Sequence, residues 1–545
     1  MKQKRGRFGN FSEAALLSYL SGRGRIDAMI KIRERRVTME LIKSRALQYA
    51  TVSRASTSHE ESLDAIVPDT FPDIETICCA LGSLEIREKL VQTDRVMVSG
   101  NIRGTLVYKG EQGGPLCALD STIPFAALVE ARGCKGQDLV FVKGSLHRLE
   151  GRMLNPRKFT LRAQFGLETQ VCAPKEYEVC QGIRNGEEEG MQALTQTFSF
   201  ESALSMKEKG FSLHEDVRQK SPEGSTGDKA LRTCCKLVTE DIRVISGKVM
   251  LRGSAQGEAL LLRQSTGAME KESFSIPYSQ IVELEGAEEG DTAQVEYSVK
   301  NCACNLSSDE EGPFLSWDIA ADVMVSIHRP VQYEVLMDAF STKGGCTLQQ
   351  EPLDLPLARC EREASAEMRA TLSPPEQADA LLDWSASVKS CGAIGKEGVA
   401  HGEVCVSLLC MTGDGQPMQY DQVVSWEGHF PPMEGEDCLC QCDISGLSLK
   451  WADGACQLTG PVTFHLTGQS GKPVRQVVDC QMDENAPAPA RPKASLILRR
   501  AEGGETVWLL AKSFRTSPGD IMAANHLETG GALEKGQLVM IPFQR

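Results

Sequence analysis

A chain of 545 residues is too long for one hydrophobic core and, at roughly 100 to 200 residues per domain, implies three to five units. Its 41% hydrophobic and 24% charged residues supply enough apolar surface to offset the entropy of ordering, which argues against a mostly disordered chain. A formal charge of -15 argues against a nucleic-acid binder, whose affinity comes from Lys and Arg on phosphates, and favours solubility and protein partners.

No window holds the run of about 20 apolar residues that a membrane span needs, and the N-terminus lacks the apolar core of an export signal. The expectation is a cytoplasmic protein without a transmembrane segment. Its twenty cysteines are dispersed, and in a reducing compartment they are expected to be free thiols acting as small buried hydrophobes.

Residues 1–38 stand apart, with ten Lys or Arg against three acids, 10 - 3 = +7. They read either as a basic arm for nucleic acid or an acidic surface, or as a disordered upstream extension, the protein proper then beginning at Met39. The next feature is a repeat. In RVMVSGNIRGTLVY, residues 95–108, apolar or Gly residues alternate from Val96 through Gly100 and Gly104 to Tyr108, the period of a half-buried strand. The pattern returns 153 positions later in KVMLRGSAQGEALL, residues 248–261. Ile123-Pro124-Phe125, Val129-Glu130 and Asp138 return at the same offset as Ile276-Pro277-Tyr278, Val282-Glu283 and Asp291.

A weaker third copy runs from Ala400 to Cys410, offset by 302. Each cluster follows a Pro-marked approach: FPDIE at 71–75, KSPEG at 220–224 and SPPEQ at 373–377. A glycine held at one place in an alternating strand points to a bulge or a close backbone approach. Each unit closes with two more strand-like runs, so the fold class is mainly β, three tandem sandwich- or barrel-like units. A brief helix is expected in DIETICCAL after Pro72, and residues 181–230 read as a solvated insertion and linker.

The expected boundaries are 39–166, 167–328 and 329–482 for the β units, 483–494 for a Pro/Ala linker, and 495–543 for a small α+β module. In that module Ser495–Arg500 reads as a strand, Glu505-Thr506 open a helix presenting Val507, Leu510, Ala511 and Phe514, and Thr516-Ser517-Pro518 start a second helix ending near Asn525-His526. Leu538–Ile541 is the returning strand, giving the order strand, helix, helix, strand.

The run GETVWLLAKSFRTSPGDIMAANHL with LEKGQLVMIP resembles a LysM domain, with Glu505 where Asp is usual and Leu509-Leu510 in place of a more polar pair. Most LysM domains bind N-acetylglucosamine polymers through two strand–helix loops, which implies roles for Gly504 and Thr506 in one loop and for Asn525 and Leu527 in the other. IVPDTFPDIETI, RVMVSGNIRGTLVY and STIPF are similar to the SPOCS domain of clostridial spore-coat proteins. That resemblance implies a mother-cell cytoplasmic protein at the forespore surface, a non-catalytic scaffold whose LysM domain docks on SpoIVA, the coat morphogenetic ATPase, and which meets other coat proteins. The rival reading is a cell-wall protein that binds peptidoglycan or another N-acetylglucosamine polymer. Trp508 is the contact candidate, its other reading being a core aromatic, and Leu496 is the second, since an aliphatic beside an aromatic makes a desolvated interface centre.

Catalytic and cofactor signals are missing from the sequence. Cys438, Cys440 and Cys442 in CLCQC put three thiols on one strand face, unlike the paired C-x-x-C of structural zinc sites, and they are read as buried side chains. No HExxH, GxSxG or GxxxxGK[ST] occurs, and Asp69 and Asp73 are read as capping residues near Pro68 and Pro72. No cofactor, no metal and no enzymatic activity are expected.

Overall fold

The alternating runs become strands because alternate side chains pack against a facing sheet, and the central runs, such as residues 104–108, are buried on both faces. The computed structural model describes residues 36–543 apart from 112–115, 220–227, 354, 356–357, 376–377, 434–437, 453, 471–472, 484–493 and 528–531. The stretch 1–35, the KSPEG approach and linker residues 484–493 therefore lie outside the described residues.

After the short β1 (Arg36–Thr38), the first unit contains β2 (Leu41–Ile66), β3 (Ile74–Gln92), β4 (Arg95–Gly110), β5 (Leu116–Glu130), β6 (Leu139–Asn155) and β7 (Lys158–Ile183). They form two antiparallel sheets, β3-β4-β5 and β2-β7-β6. Val96, Val98, Ile102 and Leu106 of β4 face Phe159, Leu161, Ala163 and Phe165 of β7, all fully buried in one cluster. Each such aliphatic side chain contributes roughly 1.5–3 kcal/mol. With β3 beside β6 and β5 beside β2, the two sheets stack as a six-stranded sandwich, barrel-like in outline.

The second unit repeats this with β8 (Met191–Arg218), β9 (Lys229–Ile245), β10 (Lys248–Leu262), β11 (Met269–Glu283), β12 (Thr292–Asp309) and β13 (Gly312–Ser341), paired β9-β10-β11 and β8-β13-β12. The third uses β14 (Gly345–Leu353), β15 (Ala358–Leu372), β16 (Ala378–Ile394), β17 (Val399–Thr412), β18 (Pro417–His429), β19 (Cys438–Asp443), β20 (Ser448–Ala452), β21 (Ala455–Ser470) and β22 (Val474–Asp483). Its sheets are β16-β17-β18 and β15-β21-β19, with β20 also on β21. The faint third copy in the sequence is thus complete in space.

The fixed glycine has a physical cause. A Cβ on Gly100 would lie 2.0 Å from the Glu85 carbonyl oxygen and 2.9 Å from the Phe125 ring. Gly253 has the same relation to Val238 and Tyr278, and Gly402 to Ser390 and Trp426. Each glycine lies opposite or beside a register shift, at Ile86/Glu88, Arg252/Gly253 and Val388/Ser390.

Three local expectations fail. DIETICCAL is not helical but opens β3, because Ile74, Thr76 and Ile77 are β-branched and the ladder to β4 satisfies their backbone. Most of 181–230 is not an insertion: β8 pairs with β13 from Met191 to Arg218, and its half-solvated face gives it a polar sequence. Asp69 and Asp73 cap no helix; Arg157 bonds both, at 2.8 and 2.9 Å, and so pins the approach loop to the β6–β7 turn. Strands β7 and β13 run through the positions 166 and 328 at which the sequence divides the units.

That continuity builds a stalk. Beyond the barrels, β2–β7, β8–β13 and β14–β22 continue as three antiparallel ribbons, and β1 adds to β22. The ribbons pack on one another through Ala46, Val179, Phe200, Val335, Leu353 and Val474. Buried Gln476 joins two of them, accepting from the Cys180 backbone N–H and donating to the Glu178 carbonyl, each at 2.9 Å.

At the other end the three barrels meet around Cys78, Cys79, Leu81, Leu231, Leu260, Leu262 and Leu409. Ion pairs cross the seams: Lys89 to Glu208 and Asp322, Lys143 to Glu296 at 2.9 Å, Arg148 to Asp421 at 3.0 Å, and Arg232 to Asp383 at 2.5 Å. The first three cations belong to the first unit and their acids to the other two, so part of the chain's negative charge is neutralised inside it.

Candidate functional site

The C-terminal module consists of β23 (Leu496–Arg500), α1 (Val507–Phe514), α2 (Pro518–Asn525) and β24 (Leu538–Pro542), with β23 and β24 antiparallel. Thr506 caps α1 by accepting the Leu509 N–H at 3.2 Å, and left-handed Arg515 and His526 end the two helices. Val507, Leu510, Ala511, Ile521, Val539 and Ile541 form its core, which Phe340 from the tip of β13 completes. Glu505 accepts from Arg499 at 2.7 Å and from the Glu502 backbone N–H at 2.8 Å, so the longer acid closes its own turn.

The module sits on the stalk through one face of α1. Half-buried Trp508 donates its indole N–H to Asp338 Oδ2 at 2.8 Å and sets its ring edge-on to Phe340, centroids 5.0 Å apart. One turn later Lys512 Nζ reaches both Asp338 oxygens at 2.7 Å, and Arg515 donates to the Gly344 carbonyl at 3.1 Å. Trp508 therefore makes its contact within the chain. Asp338 and Phe340, about 170 residues upstream, carry no sequence signal linking them to it.

The other candidates occupy two regions. Gly504 is exposed with φ +87°, and Thr506 bridges Ala532, so this loop is joined to the chain that enters β24. The Asn525 amide is held within the module: Nδ2 donates to the Ile521 and Met540 carbonyls, and Oδ1 accepts the Met540 N–H. Leu527 packs half-buried against the module core. Leu496 begins β23, at the opposite end of that strand from Gly504, and is 45% exposed.

Leu496 has neighbours that sequence reading passed over. Leu498 lies on the same face of β23, and Leu538, opposite Arg500, shares that face; both are 58% exposed. Leucines at i and i+2 in LILRR were the available signal. Among the described residues no group of three or more His, Cys, Asp or Glu could hold a metal ion, and no helix is long and apolar enough to cross a membrane.

Comparison with protein families agrees with this architecture. A model described as SipL, SPOCS domain matches residues 73–154 and 228–307, and a LysM domain model matches residues 503–542. The first match spans β3 to β6 and the second β9 to β12, the same strands of successive barrels. No curated protein and no solved structure matches the chain. The class is a protein of repeated SPOCS barrels carrying a C-terminal LysM domain. Within it, the chain is SipL-like: two SPOCS matches followed by LysM, with a third barrel of the same topology between them. Both domain families are non-catalytic, SPOCS speaks for a spore-coat protein, and LysM supports glycan binding.

Proposed function

We propose that this protein is a non-catalytic scaffold of the spore coat, working in the mother-cell cytoplasm at the forespore surface and docking through its LysM domain on a SpoIVA-like coat morphogenetic ATPase. The observation that carries the reading is the solvent-facing side of the LysM sheet, where Leu496, Leu498 and Leu538 are 45%, 58% and 58% exposed. Aliphatic side chains of this kind gain by burial against another polypeptide, whereas sugar hydroxyls call for hydrogen-bonding partners. Trp508 supports the docking from behind, by fixing the domain to the stalk.

The contact residues in this reading are Leu496, Leu498 and Leu538, with Trp508, Gly504, Thr506, Asn525 and Leu527 holding the domain's shape and seat. Several coat contacts on one chain raise local concentration, so each can be weak. The second reading, binding of an N-acetylglucosamine polymer, is favoured by the LysM match itself. In the full chain, Leu496→Glu with Leu538→Glu is expected to abolish capture of the SpoIVA-type ATPase while the thermal midpoint holds. Capture of chitin oligomers by the wild type, lost on changing Gly504 and Thr506 and with no ATPase captured, would replace the first reading by the second.

A further inference from the structure

Two thiols stand together beneath the LysM domain. Cys346 on β14 and Cys480 on β22 place their sulfurs 3.4 Å apart, on adjacent strands of the stalk's third ribbon. Cys480 is fully buried, whereas Cys346 is half-buried and lines a cavity of about 330 Å³ between stalk and domain. Lys512, paired with Asp338, and Arg515, whose guanidinium donates to the Gly344 carbonyl, line the same cavity, so its wall carries one net positive charge toward an entering anion. This combines an attacking thiol at an opening, a second thiol behind it, and a charge that selects the reagent.

We propose that Cys346 and Cys480 are a redox modification site, converted to an intramolecular disulfide by a small disulfide bearing carboxylates. The Cys346 thiolate attacks one sulfur of the reagent, whose S–S bond breaks and releases one small thiolate. Cys480, giving its proton to solvent, then attacks Cys346 Sγ and expels the second. Two protein thiols are oxidised and one small disulfide is reduced to two thiols. The sulfurs close from 3.4 Å to about 2.05 Å. A hydrogen bond from Cys480, aided by the Lys512 charge, holds the Cys346 thiol below its usual pKa. The bond joins β14 to β22 directly under Arg515, which grips Gly344 one residue before β14 begins, so oxidation fastens the seat of the LysM domain.

The test uses the reduced full chain and oxidised glutathione, followed by alkylation, trypsin and mass spectrometry. Residues 344–359 and 476–493 are expected as one disulfide-linked pair that disappears in Cys346→Ser. Cys480→Ser is expected to retain a glutathionyl group on Cys346, which separates attacking from resolving thiol. Recovery of Cys346 and Cys480 fully alkylated while other cysteines have reacted would overturn the proposal. An unmodified Cys346 in Cys480→Ser would overturn it equally.

Discussion

Removing the Asp338 carboxylate tests how the LysM domain is presented. In Asp338→Ala the Trp508 indole N–H loses a charged acceptor at 2.8 Å and Lys512 loses both of its 2.7 Å contacts. A hydrogen bond to a charged group contributes roughly 1.5–3 kcal/mol. Lys512 is 41% exposed, so its ion pair adds at most about 1 kcal/mol. The combined loss of about 2–4 kcal/mol lowers the ratio of seated to released domain roughly 30- to 800-fold. The domain's own core of Val507, Leu510, Ala511, Ile521, Val539 and Ile541 is untouched, so α1 should stay folded in the released fraction, which gives up only the Phe340–Trp508 contact in addition. Small-angle scattering is expected to give a larger radius of gyration, and hydrogen exchange to rise in residues 338–345 but not across α1. Asp338→Asn, which keeps a neutral acceptor for the indole, should fall between the two. An unchanged radius and unchanged exchange in Asp338→Ala would refute the seat.

The barrels allow three more tests. Gly253→Ala places a Cβ 2.0 Å from the Val238 carbonyl, and forced contacts of this kind cost typically 1–3 kcal/mol. Thermal melting should show the loss, and adding Tyr278→Leu should not restore it, because the carbonyl stays; full rescue would shift the cause to the ring. Arg263, fully buried, donates to Asp228, Glu270 and Glu272. Arg263→Met strands acids in the interior and should cost about 3–5 kcal/mol in denaturant titration, and a loss under about 1 kcal/mol would count against that network. His147, buried at the seam with the third barrel beside Ser387, is held below its usual pKa by burial and then by Lys389. The unfolded chain therefore binds its proton first as pH falls. Its contribution is full above pH about 6.5 and is lost as pH drops through the lowered folded value. His147→Gln should flatten the thermal midpoint against pH below about 6.5, and an unchanged slope would remove His147 as the cause.

Period and punctuation made much of this molecule readable. Alternation from Val96 to Tyr108 identifies a strand because a sheet with one buried face admits a period of two and no other. Thr506 caps the first short helix with its side chain and Asn525 bonds the Ile521 carbonyl at the end of the second, because helix ends need local partners. Ser517 makes no side-chain cap, and Pro518 opens the second helix with no N–H to satisfy. The third barrel was faint because its core keeps volume and not identity: Trp426 covers Gly402 as Phe125 covers Gly100. DIETICCAL and residues 191–218 misled because the strands opposite them, β4 and β13, decided their conformation.

By itself, then, the sequence determined the repeated β units and the LysM domain, since both are written in spacings of a few residues. Only the tertiary structure decided that the three barrels share one seam, that their long strands unite in a stalk, and that Trp508 rests on Asp338. Those arrangements depend on which side chains meet across 100 to 300 positions of chain, as Trp508 meets Asp338 and Gln476 meets Cys180. Such meetings are fixed by the burial and pairing available once the strands have packed, and no local pattern encodes them.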